Sequence, residues 1–153
     1  MRIRPIAPAD IPELIRIADD TGLSPWTASN FLDELRLSNS IMLKLEGDEG
    51  EPGGFVVGRV LTDSRGMEPT EAELYNIAVI PSLQGHGFGQ QVIDAFFEKC
   101  REANVKKVWL EVRAGNTRAL DFYSRNGFSI AAKRPKLYTA PVEDGYLMLR
   151  TMD

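Results

Sequence analysis

Gln84-Gly85-His86-Gly87-Phe88-Gly89 follows a strand-like run, Leu74 to Ile80, and leads into an amphipathic helical pattern that starts near Gly89. Glycine carries no Cβ, so alternate glycines let bare backbone approach a bulky ligand. A helix that starts there adds unpaired N–H groups and a partial positive charge. Backbone of this kind reads as a cradle for pyrophosphate, or else as a glycine-rich turn with no ligand. Two familiar phosphate loops do not fit. No Lys-Ser or Lys-Thr follows the last glycine, which removes the Walker lysine and its magnesium hydroxyl, and the dinucleotide fingerprint needs its third glycine one residue later.

The surroundings of the loop bound the possibilities further. A chain of 153 residues with 43% hydrophobic and 26% charged residues is expected to form one domain, residues 1–153, with a core that needs no staples. No apolar run is long enough to cross a bilayer, and Met1-Arg2-Ile3-Arg4-Pro5 lacks the apolar core of a secretory leader, so a cytoplasmic protein is expected. One histidine and one cysteine cannot build an ordinary zinc site, and no metal is expected. A net charge of −4 gives no footprint for nucleic acid, and Lys133-Arg134-Pro135-Lys136 reads as a solvated face.

Along the chain, Ile3 to Ile6 opens as a strand. Asp10 is expected to cap a helix bearing Ile11, Leu14, Ile15 and Ala18 that ends near Gly22. Ser24-Pro25 marks a second helix start, with Ala28, Phe31, Leu32 and Leu35 on one face. Ile41 to Leu45 and Phe55 to Leu61 read as a hairpin around the acidic, turn-rich Gly47 to Gly54, and Thr62 to Thr70 as a loop. Pro81 stops the strand that precedes the glycine loop. The helix after the loop runs to about Glu102, with Val92, Ile93, Phe96, Phe97 and Cys100 on its core stripe. Val108 to Arg113 makes the next strand, and Asn116 caps a helix that closes at Asn126-Gly127. Phe128 to Lys133 and Gly145 to Met152 form two last strands, with Arg134 to Asp144 between them as a connection.

With this order of elements and its Q-x-x-G-x-G loop, the chain resembles the GNAT superfamily of N-acetyltransferases over nearly its whole length. The segments Tyr75-Asn76-Ile77-Ala78-Val79, Trp109 to Asn116 and Ala119 to Phe128 are similar to the ribosomal-protein-alanine N-acetyltransferase type. The resemblance implies an α/β fold of the α+β kind: a mixed, mostly antiparallel sheet of about six to seven strands flanked by about four helices. It also implies acetyl-coenzyme A as co-substrate, with Gln84, Gly85, His86, Gly87, Phe88, Gly89 and Gln90 at its pyrophosphate. By the same resemblance Ile77, Ala78 and Val79 offer backbone amides to the pantetheine arm and the thioester, and Asn116 and Tyr123 complete the coenzyme contacts. His86 and Gln90 are expected as solvent-facing flanks.

Alternation puts Glu111 on one strand face with Trp109 and Arg113, and taken alone it reads as an ion-pair partner of Arg113 or of a cross-strand cation. The resemblance makes it the general base, acting directly or through one water, for which a partly apolar setting beside Trp109 would raise its pKa. Tyr123 alone reads as helix packing, and Asn116 alone as a helix cap. By resemblance Tyr123 is the general acid at the departing sulfur, although a phenol giving its proton to a thiolate runs uphill by about 2 kcal/mol. The implied reaction is direct attack by a primary amine in a ternary complex, preferably the α-amine of an N-terminal alanine on a small-subunit ribosomal protein. Trp26-Thr27, Phe31, Tyr138 and Glu143-Asp144 are similar to family elements beside the acceptor groove, or else are core and surface. A small amine as acceptor and a non-catalytic acyl-coenzyme A sensor are the rival readings.

Overall fold

A computed structural model describes residues 1–21, 26–61 and 71–152. Seven strands form one sheet in the order β1-β2-β3-β4-β5-β7-β6. They are β1 (Arg2–Pro5), β2 (Ser40–Glu46), β3 (Pro52–Leu61), β4 (Glu71–Val79), β5 (Lys107–Arg113), β6 (Ser129–Thr139) and β7 (Val142–Thr151). The helices are α1 (Ile11–Asp20), α2 (Ala28–Leu35), α3 (Phe88–Glu102) and α4 (Thr117–Arg125). Every strand pair is antiparallel except β4 with β5, which α3 joins by a crossover.

The period of two in the strands separates two cores. Ile41, Leu43 and Leu45 of β2 point to the face covered by α3 and α4, where the stripe Val92, Ile93, Phe96, Phe97 and Cys100 is buried as expected. Met42 points the other way and joins Phe55, Val57 and Ala78 under α1 and α2. Phe31 is fully buried in that second core, its ring 5.2 Å from Trp26 and 5.9 Å from Phe55, so it packs and does not line the groove.

Two helix starts differ from expectation. Asp10 sits at the N-cap of α1 but bonds none of its amides; its carboxylate accepts from Ala7 N–H at 2.8 Å and from Lys44 Nζ at 2.9 Å. A buried-facing lysine outcompetes the exposed helix amides because the pair is charged on both sides. The second helix begins at Ala28. Trp26 and Thr27 are non-helical, and Thr27 is the cap, accepting from Asn30 N–H at 3.1 Å while Asn30 Oδ1 accepts from Thr27 N–H at 2.9 Å. This reciprocal capping box satisfies a free amide at the helix start and fixes it there. Gly22, Ser24 and Pro25, and the Thr62 to Thr70 stretch expected as a loop, lie outside the described residues.

A third difference concerns Arg134 to Asp144, which is no connection but the continuation of β6 and β7 into a long hairpin that turns at Ala140-Pro141. Register slips between Arg134 and Tyr138: Pro135, Lys136 and Leu137 stand against Asp144 alone. Proline and a left-handed Lys136 (φ 53°) broke the alternation by which strands are read from sequence.

Candidate active site

The β4–β5 ladder is short. Its pairs are Glu71 with Lys107, Ala72 with Val108 and Glu73 with Trp109, and beyond them β4 continues to Val79 beside β3 only. A parallel pair that parts in this way leaves a cleft between two strand ends, and main-chain groups along its wall. A bulge against β3 sharpens the bend, since Val57 pairs with Asn76 and Gly58 with Leu74, leaving Tyr75 as the extra residue.

A cavity of about 530 Å³ fills the cleft, and Ile77, Ala78, Val79, Gln84, Gly89, Glu111, Asn116 and Tyr123 all line it. Gly85, His86, Gly87, Phe88 and Gln90 are not in its lining; they form the outer rim at the α3 N-terminus. Gly85 and Gly87 adopt φ of +81° and +83°, and a Cβ on either would meet nothing within 4 Å, so open space stands over a left-handed turn. The helix closes its first bond at Gln91, which donates to Gly87 O at 3.1 Å, so the amides ahead of it have no helical acceptor. These features fit an anion at the rim and an extended ligand running inward. His86 is exposed, as expected. Gln90 is exposed too, but its Nε2 donates to Asn126 Oδ1 at 2.7 Å and to Asp94 Oδ1 at 2.9 Å, tying α3 to the end of α4. Gln84 also has a structural task, donating to Val79 O at 2.9 Å and so closing the turn after β4.

Glu111 is brought to the inner end of this cavity. The alternation of β5 holds, with Val108, Leu110 and Val112 buried on the opposite face. The Arg113 pairing anticipated for Glu111 does not form, since Arg113 is taken by Glu143 at 3.2 Å, and among the described residues no cation pairs with Glu111. The partly apolar setting is absent as well: Glu111 is exposed to the cavity. Its negative charge reaches two neighbours. Burial first, and then the Glu111 charge, push the Glu73 carboxyl above the usual carboxylate range, with Arg59 opposing; the Tyr138 phenol is raised in the same order of causes.

Tyr123 lines the cavity from α4, and burial, with a smaller contribution from Tyr138, pushes its hydroxyl well above the ordinary phenol value. Such a group keeps its proton throughout the neutral and mildly alkaline range. Asn116 meets the cap expectation, Oδ1 accepting from Ala119 N–H at 3.2 Å, while the side chain still faces the cavity. Cys100 is fully buried, and burial raises its thiol to about 12, far from a reactive thiolate.

Sequence reasoning gave no role to Glu73 or Tyr75, which line the cavity with Trp26, Leu137 and Tyr138. With its amide oriented to satisfy both groups, buried Asn76 accepts from the Trp26 indole N–H at 3.0 Å and donates to Tyr75 O at 3.0 Å, fixing the wall opposite β5. Behind Tyr75, Arg59 lies over the ring at 5.6 Å and pairs with buried Glu34 at 2.5 Å; Ser40 also donates to Glu34. The available signal for Glu73 was its alternation with buried Ala72 and Leu74 in β4, two residues before Tyr75. Only the β4–β5 register sets it beside Glu111.

The family model for the acetyltransferase (GNAT) family matches residues 11–128, and the chain belongs to that family. It is an N-acetyltransferase by that membership. A curated relative is the [ribosomal protein bS18]-alanine N-acetyltransferase of Escherichia coli, 30% identical over 138 residues that cover 89% of this chain and 84% of that one. Among solved structures, Ard1 from Thermoplasma volcanium superimposes with a TM-score of 0.87 at 33% identity, covering 99% of this chain and 97% of its own. Arabidopsis thaliana NAA60, solved in complex with acetyl-CoA, shares the fold with a TM-score of 0.83 at 19% identity, over 99% of each chain.

Proposed function

We propose that this enzyme transfers the acetyl group of acetyl-coenzyme A to the N-terminal α-amine of a protein, with an N-terminal alanine of a small-subunit ribosomal protein as the acceptor. The observation that carries the reading is Glu111: a carboxylate exposed at the inner end of the cavity, with no cation paired to it among the described residues. A free carboxylate at that place serves to receive a proton from an incoming ammonium. The similarity to the E. coli alanine acetyltransferase supports the choice of acceptor.

Acetyl-coenzyme A would supply the activated acetyl thioester. Gly85, Gly87 and the first amides of α3 would hold its pyrophosphate, with His86, Phe88 and Gln90 flanking. Ile77 to Val79 and Asn116 would align the pantetheine arm along the open edge of β4. Glu111 takes the proton of the acceptor amine, directly or through one water, and Glu73 beside it stabilises the positive charge before that proton leaves. Roughly a tenth of α-amines are already neutral at pH 7, against about one lysine amine in 2,500, so an N-terminal acceptor asks little of an exposed glutamate. Tyr123 keeps its proton and hydrogen-bonds to the departing sulfur. The raised hydroxyl favours that role over full proton donation, because transfer to a thiolate becomes more uphill still. Cys100 takes no part, and the amine attacks without an acyl-enzyme. A cytoplasmic setting follows from a ribosomal acceptor.

Initial rates on short peptides with free N-termini, led by alanine, against a panel of small amines test the acceptor. Preference for the alanine peptides is expected. A strong preference for polyamines, amino acids or aminoglycosides would replace the acceptor while keeping the chemistry, and tight coenzyme A binding with no acetylated product would leave a sensor.

A further inference from the structure

The hairpin of β6 and β7 brings Leu137 and Tyr138 to the cavity, and beyond the β5–β7 ladder one carboxylate ties its end to the turn after β5. Glu143 Oε1 accepts from Arg113 Nη1 at 3.2 Å, and Glu143 Oε2 accepts from the Gly115 N–H at 2.7 Å. The first contact belongs to the end of β5, two residues from Glu111, and the second to the turn before Asn116 and α4. Arg113 also donates to the hairpin tip, Nη1 to Pro141 O at 3.2 Å and Nη2 to Ala140 O at 3.3 Å, and its guanidinium lies over the Tyr138 ring at 4.3 Å. A second link runs beside it, with Ala114 N–H donating to Asp144 O at 2.9 Å and Asp144 Oδ1 accepting from Lys136 N–H at 2.9 Å. The planar fork of arginine is what allows one side chain to hold a carboxylate, two carbonyls and a ring face together.

We infer that Glu143 and Arg113 are positioning residues that staple the hairpin to the β5–α4 turn, holding Tyr138 as the wall of the acceptor end of the cavity. The inference rests on the acetyltransferase reading above, in which the donor enters from the α3 rim and the acceptor from the side of Trp26, Glu73 and Tyr138. Both staple residues stand outside the donor rim, so the effect of breaking them falls on acceptor binding. Arg113 contributes only part of its surface to solvent, 26%, and Glu143 29%, so the pair holds position in water without being sealed from it.

The test uses the full chain and whichever amine the wild type acetylates fastest. Arg113→Ala and Glu143→Ala are each expected to raise the acceptor KM about tenfold, with kcat and the coenzyme A dissociation constant within about twofold. As one unit, the double variant is expected to be no worse than the stronger single one. Gly115→Ala reaches the same contact from the other side, since a Cβ there would meet Glu143 Oε2 at 2.5 Å, and the same KM rise is expected of it. Amide hydrogen exchange gives a readout without turnover: faster exchange at Gly115 and through the tip at 137–141, with residues 85–90 unchanged. An unchanged acceptor KM in both single variants, a parallel loss of coenzyme A affinity, or multiplying effects in the double variant would overturn the staple. Use of small amines alone would refute the protein-acceptor reading, and the KM comparison would still decide the staple. If no amine is turned over, that chemistry fails, and the exchange pattern decides whether the staple exists.

Discussion

The two ends of the cavity are built on different principles. The α3 rim comes from one continuous stretch, Ile77 to Gln90, and presents backbone: an open strand edge, two left-handed glycines and the amides of a helix start. The opposite end is assembled from side chains on four elements or their flanks, Trp26 before α2, Glu73 and Tyr75 on β4, Glu111 on β5, and Leu137 and Tyr138 on β6. Backbone recognition needs little more than glycine and a spacing, so it tolerates change at most side chains. Side-chain recognition is rewritten by any substitution, which suits an end that must select among acceptors.

Glu111→Gln gives the largest expected effect. Turnover should fall by roughly 10²–10³-fold, as for loss of a general base, while calorimetric affinity for coenzyme A is retained. Glu73→Gln should cost about tenfold at most, as a neighbouring charge does. A larger loss from Glu73→Gln than from Glu111→Gln would reverse the assignment between the two carboxylates.

Tyr123→Phe comes next, with kcat lower by about ten- to a hundredfold, the worth of one hydrogen bond to a charged sulfur. The sign of its pKa shift fixes the pH profile. Its folded value lies above the ordinary phenol, so the proton stays on as pH rises, and the wild-type rate should climb through the amine titration near about 8 and then hold level to about pH 10. A descending limb between those values would break this role.

The contrast between the ends is sharpened by a matched pair. Gly87→Ala forces a side chain into a left-handed turn at a cost of about 1–2 kcal/mol, and coenzyme A affinity should drop about tenfold with the acceptor KM unchanged. Tyr138→Ala should do the reverse, raising the acceptor KM by a comparable factor and leaving coenzyme A affinity alone. Isothermal calorimetry beside steady-state kinetics separates them, and effects on both ligands in either variant would dissolve the distinction.

The smallest effect concerns the support behind Tyr75. Burial opposes the charge on Glu34, but hydrogen bonds from Arg59 and Ser40 outweigh it and hold the carboxyl below 4.5. A depressed carboxylate stabilises the fold above its unfolded value and loses that contribution as pH falls through the folded one. Denaturation midpoints of wild type and Glu34→Gln should therefore converge as pH falls below 4.5, and a constant gap would exclude the linkage.

Much of the fold was legible because each core helix carries a clean apolar period and each early strand alternates. Asp10 misled because its carboxylate had a better partner, Lys44, that lies distant in sequence. The β6–β7 hairpin was hidden by Pro135 and Lys136, which interrupt the alternation at the place where the strand shifts register. Glu111 was singled out through its resemblance to a motif, while the ion pair that the residues alone suggested is absent because Arg113 is taken by Glu143, a residue 30 positions away from it.

The sequence by itself determined the sheet-and-helix order, the family and the glycine rim, because those rest on local period, local turn conformation and contiguous backbone. Only the tertiary structure decided that Glu73 lies beside Glu111, that Arg113 serves the hairpin in place of Glu111, and that Tyr138 lines the cavity. Each of these depends on strand register and on competition for one cation among carboxylates far apart in the chain. Such competition is settled by distance in space, which spacing along a sequence does not contain.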